Sequence, residues 1–278
     1  MSTWGKMAET KATEKAVASN APASPVFQRL SPEMAIKKLK VGVHGMQKSG
    51  KTRCWMTSAK EYGPVYAIIT EPGVKPLARL FPDSEIYFME VYEPDYNGLF
   101  EVEATKTLAN IDNAVREIRK KCIEDPKAVG VVVVDSVTDV WKWVQEWMKS
   151  EILKIDKTAR VKQQWDWGHA NNKYQNIIMQ LISLPCHVIL TGQDRDEYVG
   201  AGQTSGNTEA RWQSQTPYWV DVVLKTTKSK DKTGKIHYIT EVEDCRHPDS
   251  DMKPIAGELI EDFDFPKLVE RLKVKEVT

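Results

Sequence analysis

Short runs of apolar, mostly β-branched residues recur along the chain and predict the strands of a buried sheet. The clearest are residues 65–70 (VYAIIT), 130–135 (GVVVVD) and 187–191 (HVILT), and a shorter run covers residues 41–44. Such runs, without regular polar positions, are typical of strands that are covered on both faces. The pattern therefore predicts a mostly parallel sheet.

Segments with apolar residues at helical spacing separate these runs. Steps of three and four place apolar side chains on one helix face, which can then cover a sheet. Three sets show this spacing: Leu108, Ile111, Val115, Ile118 and Cys122; Val137, Trp141, Val144 and Met148; and Tyr174, Ile177, Ile178, Leu181 and Ile182. The alternation of strands and helices predicts a doubly wound α/β core from about residue 38 to residue 226.

The two ends of the chain differ from this core. The first thirty residues are rich in Ala, Ser, Thr and Lys and carry Pro22 and Pro25 without periodicity, which predicts a flexible arm. Residues 226–245 alternate like a C-terminal β-hairpin with a turn at 231–234, and residues 265–274 predict a short helix. We therefore divide the chain into an arm (1–30), a core (31–250) and a C-terminal tail with a short helix (251–278).

Charge and cysteine content change this picture only by exclusion. Lys+Arg and Asp+Glu each number 39, so the formal net charge is zero and no global field attracts DNA or a membrane. No apolar run approaches the roughly 20 residues that span a bilayer. The four cysteines form no CxxC pair, and we find no signal peptide, which predicts reduced thiols in the cytoplasm. Cys245 and His247 fall short of the roughly four ligands of a closed metal site.

A loop with two glycines follows the first predicted strand. Residues 44–54 are HGMQKSGKTRC, in which Gly45, Gly50, Lys51 and Thr52 satisfy the pattern GxxxxGK[ST]. In that pattern, backbone N–H groups bind phosphate, the lysine reaches the β- and γ-phosphates, and the threonine hydroxyl binds Mg²⁺. The alternative is an ordinary glycine turn. The residues predicted to bind ATP are Gly45, Met46, Gln47, Lys48, Ser49, Gly50, Lys51, Thr52 and Arg53.

Two carboxylates at predicted strand ends complete this site. Asp135 ends the most apolar strand, at the edge where side chains of parallel strands emerge, and we predict that it binds Mg²⁺ together with Thr52. Glu71 follows the neighbouring strand, and we predict that it orients or deprotonates the attacking water. The alternatives are a helix cap for Asp135 and a surface charge in a turn for Glu71.

The order of these motifs resembles that of the RecA/RadA core ATPases. A strand leads into GxxxxGKT, a second ends at Glu71, a third continues into VVVVDSVTD, and a fourth ends with TGQ at residues 191–193. Within that group the chain is most similar to phage-encoded RecA-like ATPases associated with single-strand annealing. The resemblance covers roughly residues 38–250, and residues 163–193 are its most specific part.

This resemblance implies an α/β, RecA-like P-loop NTPase core with further roles for named residues. Lys51 and Glu71 match catalytic positions, and Gln193 matches the glutamine that senses the γ-phosphate. It also implies a homo-oligomer, a ring or a filament, with ATP at subunit interfaces and a cation inserted from the neighbouring subunit. Arg246 and Lys228 are candidates for that cation, and the planar guanidinium of Arg246 favours it.

Single-stranded DNA is the partner that the resemblance implies, in phage recombination or replication in the host cytoplasm, with a single-strand-binding protein as a further candidate. Two segments predicted as loops at the carboxyl ends of the strands, 154–168 and 194–217, mix cations with aromatic or flexible residues, which suits binding without sequence preference. Their candidate DNA-binding residues are Arg160, Lys162, Arg211 and Trp212. The alternative is that Trp165 and Trp167 pack in the core and the glycine-rich segment is a lid.

Two other functions remain open at this stage. A P-loop kinase of nucleotides or small molecules would need an arginine-rich lid, and the sequence has no clustered lid arginines. A nucleotide-gated scaffold would assemble on ATP with little turnover, and the presence of both Glu71 and Gln193 favours hydrolysis instead.

Overall fold

The structure is a computed structural model that describes residues 38–95, 101–198 and 203–273. All of them belong to one compact unit, Pro32–Thr278. The predicted arm, residues 1–30, lies outside the described residues. Within these three ranges no helix combines the length and the apolar character that a bilayer crossing requires.

The described residues form eleven strands and six α-helices. The strands are β1 Lys40–Gly45, β2 Val65–Ile69, β3 Ile86–Glu90, β4 Pro94–Asp95, β5 Glu101–Val102, β6 Val131–Asp135, β7 His187–Tyr198, β8 Thr204–Ala210, β9 Val222–Lys230, β10 Ile236–Cys245 and β11 Leu259–Glu261. The helices are α1 Lys51–Met56, α2 Ala104–Glu124, α3 Val137–Trp147, α4 Trp167–Ile182, α5 Thr216–Trp219 and α6 Phe265–Leu272.

One large sheet organises the fold. Its strand order is β3-β2-β6-β7-β1-β9-β10-β11, and β8 pairs with β7 off this path. The six strands from β3 to β9 are mutually parallel, whereas β10 runs antiparallel to both of its neighbours, β9 and β11. The predicted mostly parallel α/β sheet is therefore confirmed. Because β7 lies between β1 and β6, the carboxyl ends of these three strands stand side by side.

Helices cover both faces of this sheet, which explains why β6 has no polar residue before Asp135. In β6, Val132 and Val134 point to the core formed with α2, α3 and α4. Val131 and Val133 point to the opposite core, where α1 and α6 pack. Each of these valines is at most 1% exposed, and burial of such a side chain contributes roughly 1.5–3 kcal/mol.

The C-terminal hairpin has the predicted turn. Antiparallel β9 and β10 are joined through Asp231 and Gly234, with a hydrogen bond of 3.0 Å from Gly234 N to Asp231 O. The final helix, α6, also forms where the apolar spacing predicts it.

The segment after Gln193 differs from the prediction of a loop. Strand β7 continues through Asp194 to Tyr198 and pairs with β8, so residues 194–198 and 204–210 are paired antiparallel strands. The polar composition of this segment suits a loop, but its backbone groups are satisfied by strand pairing outside the buried sheet.

Candidate functional site

The loop between β1 and α1 requires glycine at two positions. A Cβ atom on Gly45 would lie 2.4 Å from the carbonyl oxygen of Thr226 in β9. Gly50 has a φ angle of +105°, and a Cβ there would lie 2.8 Å from the ring of Tyr238 in β10. The loop is therefore seated against the C-terminal hairpin at a distance that only glycine permits.

The side chain of Lys51 folds back onto this loop. Its ammonium donates hydrogen bonds of 2.8 Å to Gly45 O and 2.9 Å to Met46 O. Burial lowers the pKa of Lys51, while the nearby carboxylates of Asp135 and Asp194 act in the opposite direction. The cation thus stands in the loop where phosphate oxygens can replace the two carbonyls.

Asp135 and Thr52, the predicted metal pair, are in direct contact. The Thr52 hydroxyl donates to Asp135 Oδ2 at 2.9 Å, and Trp55 Nε1 donates to the same oxygen at 2.9 Å. The Thr191 hydroxyl donates to Oδ1. A carboxylate and a hydroxyl at the end of a phosphate-binding loop fit Mg²⁺, which takes one or two carboxylates together with substrate phosphates. Sequence reasoning missed Trp55 because nothing in the sequence shows where its indole N–H points.

Glu71 and Gln193 are also brought together: Glu71 closely follows β2, and Gln193 lies within β7 opposite Gly45, the last residue of β1. The Gln193 side-chain amide donates to Glu71 Oε1, and the Ser136 hydroxyl lies 3.3 Å from the same oxygen. Burial, followed by the negative charge of Asp139, raises the pKa of Glu71. A carboxylate of raised pKa beside the phosphate-binding loop is suited to accept a proton from water.

Asp139 belongs to a hydrogen-bond network next to Glu71 that the sequence analysis did not predict. Its Oδ2 accepts from the Thr70 hydroxyl at 2.8 Å and from the Ser136 hydroxyl at 2.9 Å. Ser136 N donates to Thr70 Oγ1 at 2.6 Å. The available signal was the spacing of two aspartates, Asp135 and Asp139, across the start of a helix.

His44, directly before the loop, lies in a buried ionic cluster. It is 2% exposed, with Nδ1 2.7 Å from Asp194 and Nε2 2.8 Å from Glu243. Burial lowers the pKa of His44, but the two carboxylates outweigh burial and leave the pKa raised. Both ring nitrogens face acceptors, so the imidazolium form satisfies both contacts. The cluster ties β1 to β7 and β10.

We expect this cluster to make stability depend on pH. The pKa of His44 is raised, so its contribution is complete below the ordinary value of 6.5 and is lost as pH rises through the folded-state pKa. The pKa values of Asp194 and Glu243 are lowered, so their contributions are present above the ordinary values of 3.8 and 4.5 and are lost as pH falls.

His44→Gln should therefore reduce the free energy of unfolding most, by roughly 3 kcal/mol, between about pH 4.5 and 6.5. The difference from wild type should shrink as pH rises above that window. Urea titrations of both proteins from pH 5 to pH 9 measure it, and a difference that does not change with pH would contradict the ionic assignment.

The two candidate DNA-binding residues that directly follow β8 have different environments. Arg211 is exposed, and its backbone N–H donates to Gln193 O at 2.7 Å. Trp212 is only 9% exposed, because its ring fills the space above Gly42 and Gly192. The structure therefore corrects the expectation that Trp212 offers a surface for base stacking and places it in the core.

The other candidate segment follows α3 and is open to solvent. Arg160 and Lys162 are exposed, and Trp165 nearby is 75% exposed. Trp165 is thus the accessible aromatic residue of this segment.

The two candidates for the cation that a neighbouring subunit would insert into the ATP site lie at opposite ends of the strands. Lys228 is exposed on β9, two residues beyond Thr226, which pairs with Gly45. Arg246 follows β10 at the other end, and its guanidinium donates to the carbonyl of Tyr218. The described residues contain no group of three or more side chains placed to hold a metal through His, Cys, Asp or Glu, so the pair Cys245 and His247 gains no further ligand.

A glycine loop between a parallel strand and a helix, an internal lysine, and an aspartate that meets the loop's threonine define a P-loop nucleoside triphosphatase site. A family model described as "AAA domain" matches residues 37–247, about three quarters of the chain, and the chain belongs to this family. It therefore has the core of a P-loop AAA-type ATPase, for which ATP is the nucleotide and Mg²⁺ the usual metal. No curated protein matches the chain.

Proposed function

We propose that this ATPase is a RecA-like protein that assembles into a homo-oligomer and binds single-stranded DNA during phage recombination, annealing or replication. One observation carries the proposal. The side-chain amide of Gln193 donates a hydrogen bond to Glu71. The backbone carbonyl of Gln193 accepts a hydrogen bond of 2.7 Å from the backbone N–H of Arg211. One residue therefore joins the hydrolysis site to the exposed hairpin, as coupling of ATP to a DNA surface requires.

In the proposed hydrolysis, each residue has a distinct task. Lys51 binds the β- and γ-phosphates, and Thr52 and Asp135 hold Mg²⁺, which would neutralise phosphate charge. Glu71 accepts the proton of the attacking water, and the Gln193 amide keeps the Glu71 carboxylate oriented. Turnover then needs no substrate other than ATP and water.

The DNA contacts are proposed for two exposed surfaces. Arg160 and Lys162 would meet phosphates while Trp165 stacks on a base, and Arg211 would add a phosphate contact beside Gln193. Since the net charge of the chain is zero, binding depends on these local cations.

The assembly contact is proposed for the edge of the sheet that carries the phosphate-binding loop. Lys228 is exposed there and makes no ion pair with another described residue, whereas the Arg246 guanidinium already has an acceptor within its own subunit. We therefore favour Lys228 over Arg246 as the cation that a neighbouring subunit presents to ATP.

Steady-state ATPase activity with and without single-stranded DNA tests the proposed function. We expect turnover that DNA stimulates. Turnover that appears only when a phosphate acceptor is added would instead favour a P-loop kinase, and nucleotide-dependent assembly without turnover would favour a scaffold.

For the DNA surface, we expect Trp165→Ala to weaken single-stranded DNA binding about 10-fold, because stacking contributes ~1–3 kcal/mol per base. Arg211→Ala should weaken binding and also reduce its salt dependence, because one phosphate contact is lost. Filter-binding titrations at several salt concentrations measure both effects.

Tyr218→Ala is the matched control, since its ring is 74% exposed outside both proposed DNA surfaces. Wild-type affinity and salt dependence in both Trp165→Ala and Arg211→Ala would rule out these surfaces.

A further inference from the structure

Asp139 lies on the first turn of α3 and contacts both segments that carry Glu71 and Asp135. Thr70 precedes Glu71 and donates to Asp139 Oδ2, and Ser136 follows Asp135 and donates to the same oxygen. This oxygen also lies near the start of an eleven-residue helix, where backbone N–H groups favour negative charge. Asp139 thus joins the two segments through one oxygen atom.

Asp139 and Glu71 share their surroundings. The Ser136 hydroxyl lies 2.9 Å from Asp139 Oδ2 and 3.3 Å from Glu71 Oε1, and its single hydrogen can serve one of them at a time. Burial, the negative charge of Asp139 and a hydrogen bond between the two carboxyl groups, in this order, raise the pKa of Glu71. Such a bond exists only when one of the pair carries a proton.

Charged and neutral groups both act on Glu71. After burial, the negative charge of Asp139 from α3 raises its pKa most, and Lys51 from the phosphate-binding loop attracts it. Gln193 from β7 and Ser136 are neutral donors to it. Removal of the Asp139 charge would therefore take away a negative charge that acts on Glu71 and leave these donors in place.

We propose that Asp139 is a positioning residue for hydrolysis, whose negative charge makes Glu71 a stronger base and whose carboxylate then shares the proton that Glu71 takes from water. This inference rests on the proposed ATPase function and on the assignment of Glu71 as the base.

The proposed step balances without any further reactant. Water loses a proton to Glu71 as its oxygen bonds to the γ-phosphorus, and the bond from that phosphorus to the bridging oxygen breaks, with its electron pair leaving on ADP. The new carboxylic acid of Glu71 donates a hydrogen bond to Asp139. The proton then passes to solvent, which restores the charged pair.

The test compares pH profiles of kcat for wild type, Asp139→Asn and Asp139→Ala. Asparagine keeps an oxygen that accepts from Thr70 and Ser136 but removes the charge, whereas alanine removes both. Because Glu71 acts when deprotonated, turnover should rise with pH through its pKa. In both variants we expect this acidic limb to move down by about one pH unit and the plateau of kcat to fall about three- to tenfold, as for a weaker base.

Asp112→Asn, which removes a carboxylate paired with Lys173 at 3.1 Å, should leave the profile unchanged. Binding of a fluorescent ATP analogue should stay within about twofold of wild type in every variant, which shows that the loop is intact.

An acidic limb that stays in place in Asp139→Asn, or a wild-type profile without an acidic limb, would overturn the proposal. A wild-type protein without ATPase activity would instead contradict the proposed function. Movement of the limb in both Asp139 variants, with ATP still bound, would support the role of Asp139.

Discussion

Lys51→Ala is expected to abolish ATP turnover, with a loss of about 10³-fold or more in kcat/KM. The side chain supplies the cation that meets the β- and γ-phosphates, and this positioning and charge are most of what a P-loop site contributes. In the free protein the same ammonium holds the loop through Gly45 O and Met46 O, so its removal also loosens the loop that binds phosphate. ATP affinity should therefore fall together with turnover.

Phosphate release and binding of a fluorescent nucleotide measure these two effects. Lys127→Ala is the control, because Lys127 is exposed in the turn before β6, at the edge of the sheet away from the loop. Unfolding in urea should be similar for both variants. Wild-type turnover in Lys51→Ala would exclude the loop as the ATP site.

Glu71→Gln should separate binding from hydrolysis. Glutamine keeps the length of the side chain and an oxygen for the Gln193 amide, but it cannot accept a proton from water. We expect ATP to bind with unchanged affinity while kcat falls by ~10²-fold or more, as for the loss of a positioned base.

Single-turnover hydrolysis of prebound ATP measures this step directly. Glu61→Gln removes an exposed carboxylate and should behave like wild type. If Glu71→Gln hydrolyses ATP at the normal rate, the base is another residue, and the proposed role of Asp139 fails with it.

The local pattern of apolar residues was sufficient to predict those strands and helices whose surroundings are the same along their whole length. Strand β6 is covered on both faces, so its valines alone predict it, and the long apolar stripe of α2 does the same for a helix. Edge strand β3 was not predicted. It lies at the end of the sheet, with Tyr87 and Phe88 both more than 40% exposed, so it has neither a buried run nor a polar face.

The site was predictable where a motif fixes residues within a short stretch. The lysine and threonine of the loop are neighbours, and Glu71 and Asp135 were found because both end predicted strands. His44 was missed because its partners are distant in sequence: Asp194 and Glu243 lie 150 and 199 residues away. Only the order of the strands in the sheet, β7-β1-β9-β10, shows that they meet.

The burial of Trp212 could not be predicted for the same reason, because the residues that surround its ring are distant in sequence. Its neighbours in sequence are polar, which suggested an exposed ring. The space that it fills is created by Gly42 and Gly192 on two adjacent strands, and a missing side chain leaves no signal at the residue that occupies its place.

The extension of β7 beyond the sheet has a mechanical consequence. At about 3.3 Å per residue, Tyr198 lies roughly 17 Å from Gln193 along the same strand, whose register with β8 shifts between Asp196 and Tyr198. The pairing with β8 stiffens this extension of β7. The buried contact of Asp194 with His44 anchors it one residue beyond Gln193. A small tilt of the strand at that anchor would therefore displace its outer end, near Tyr198, by a larger distance than it displaces Gln193.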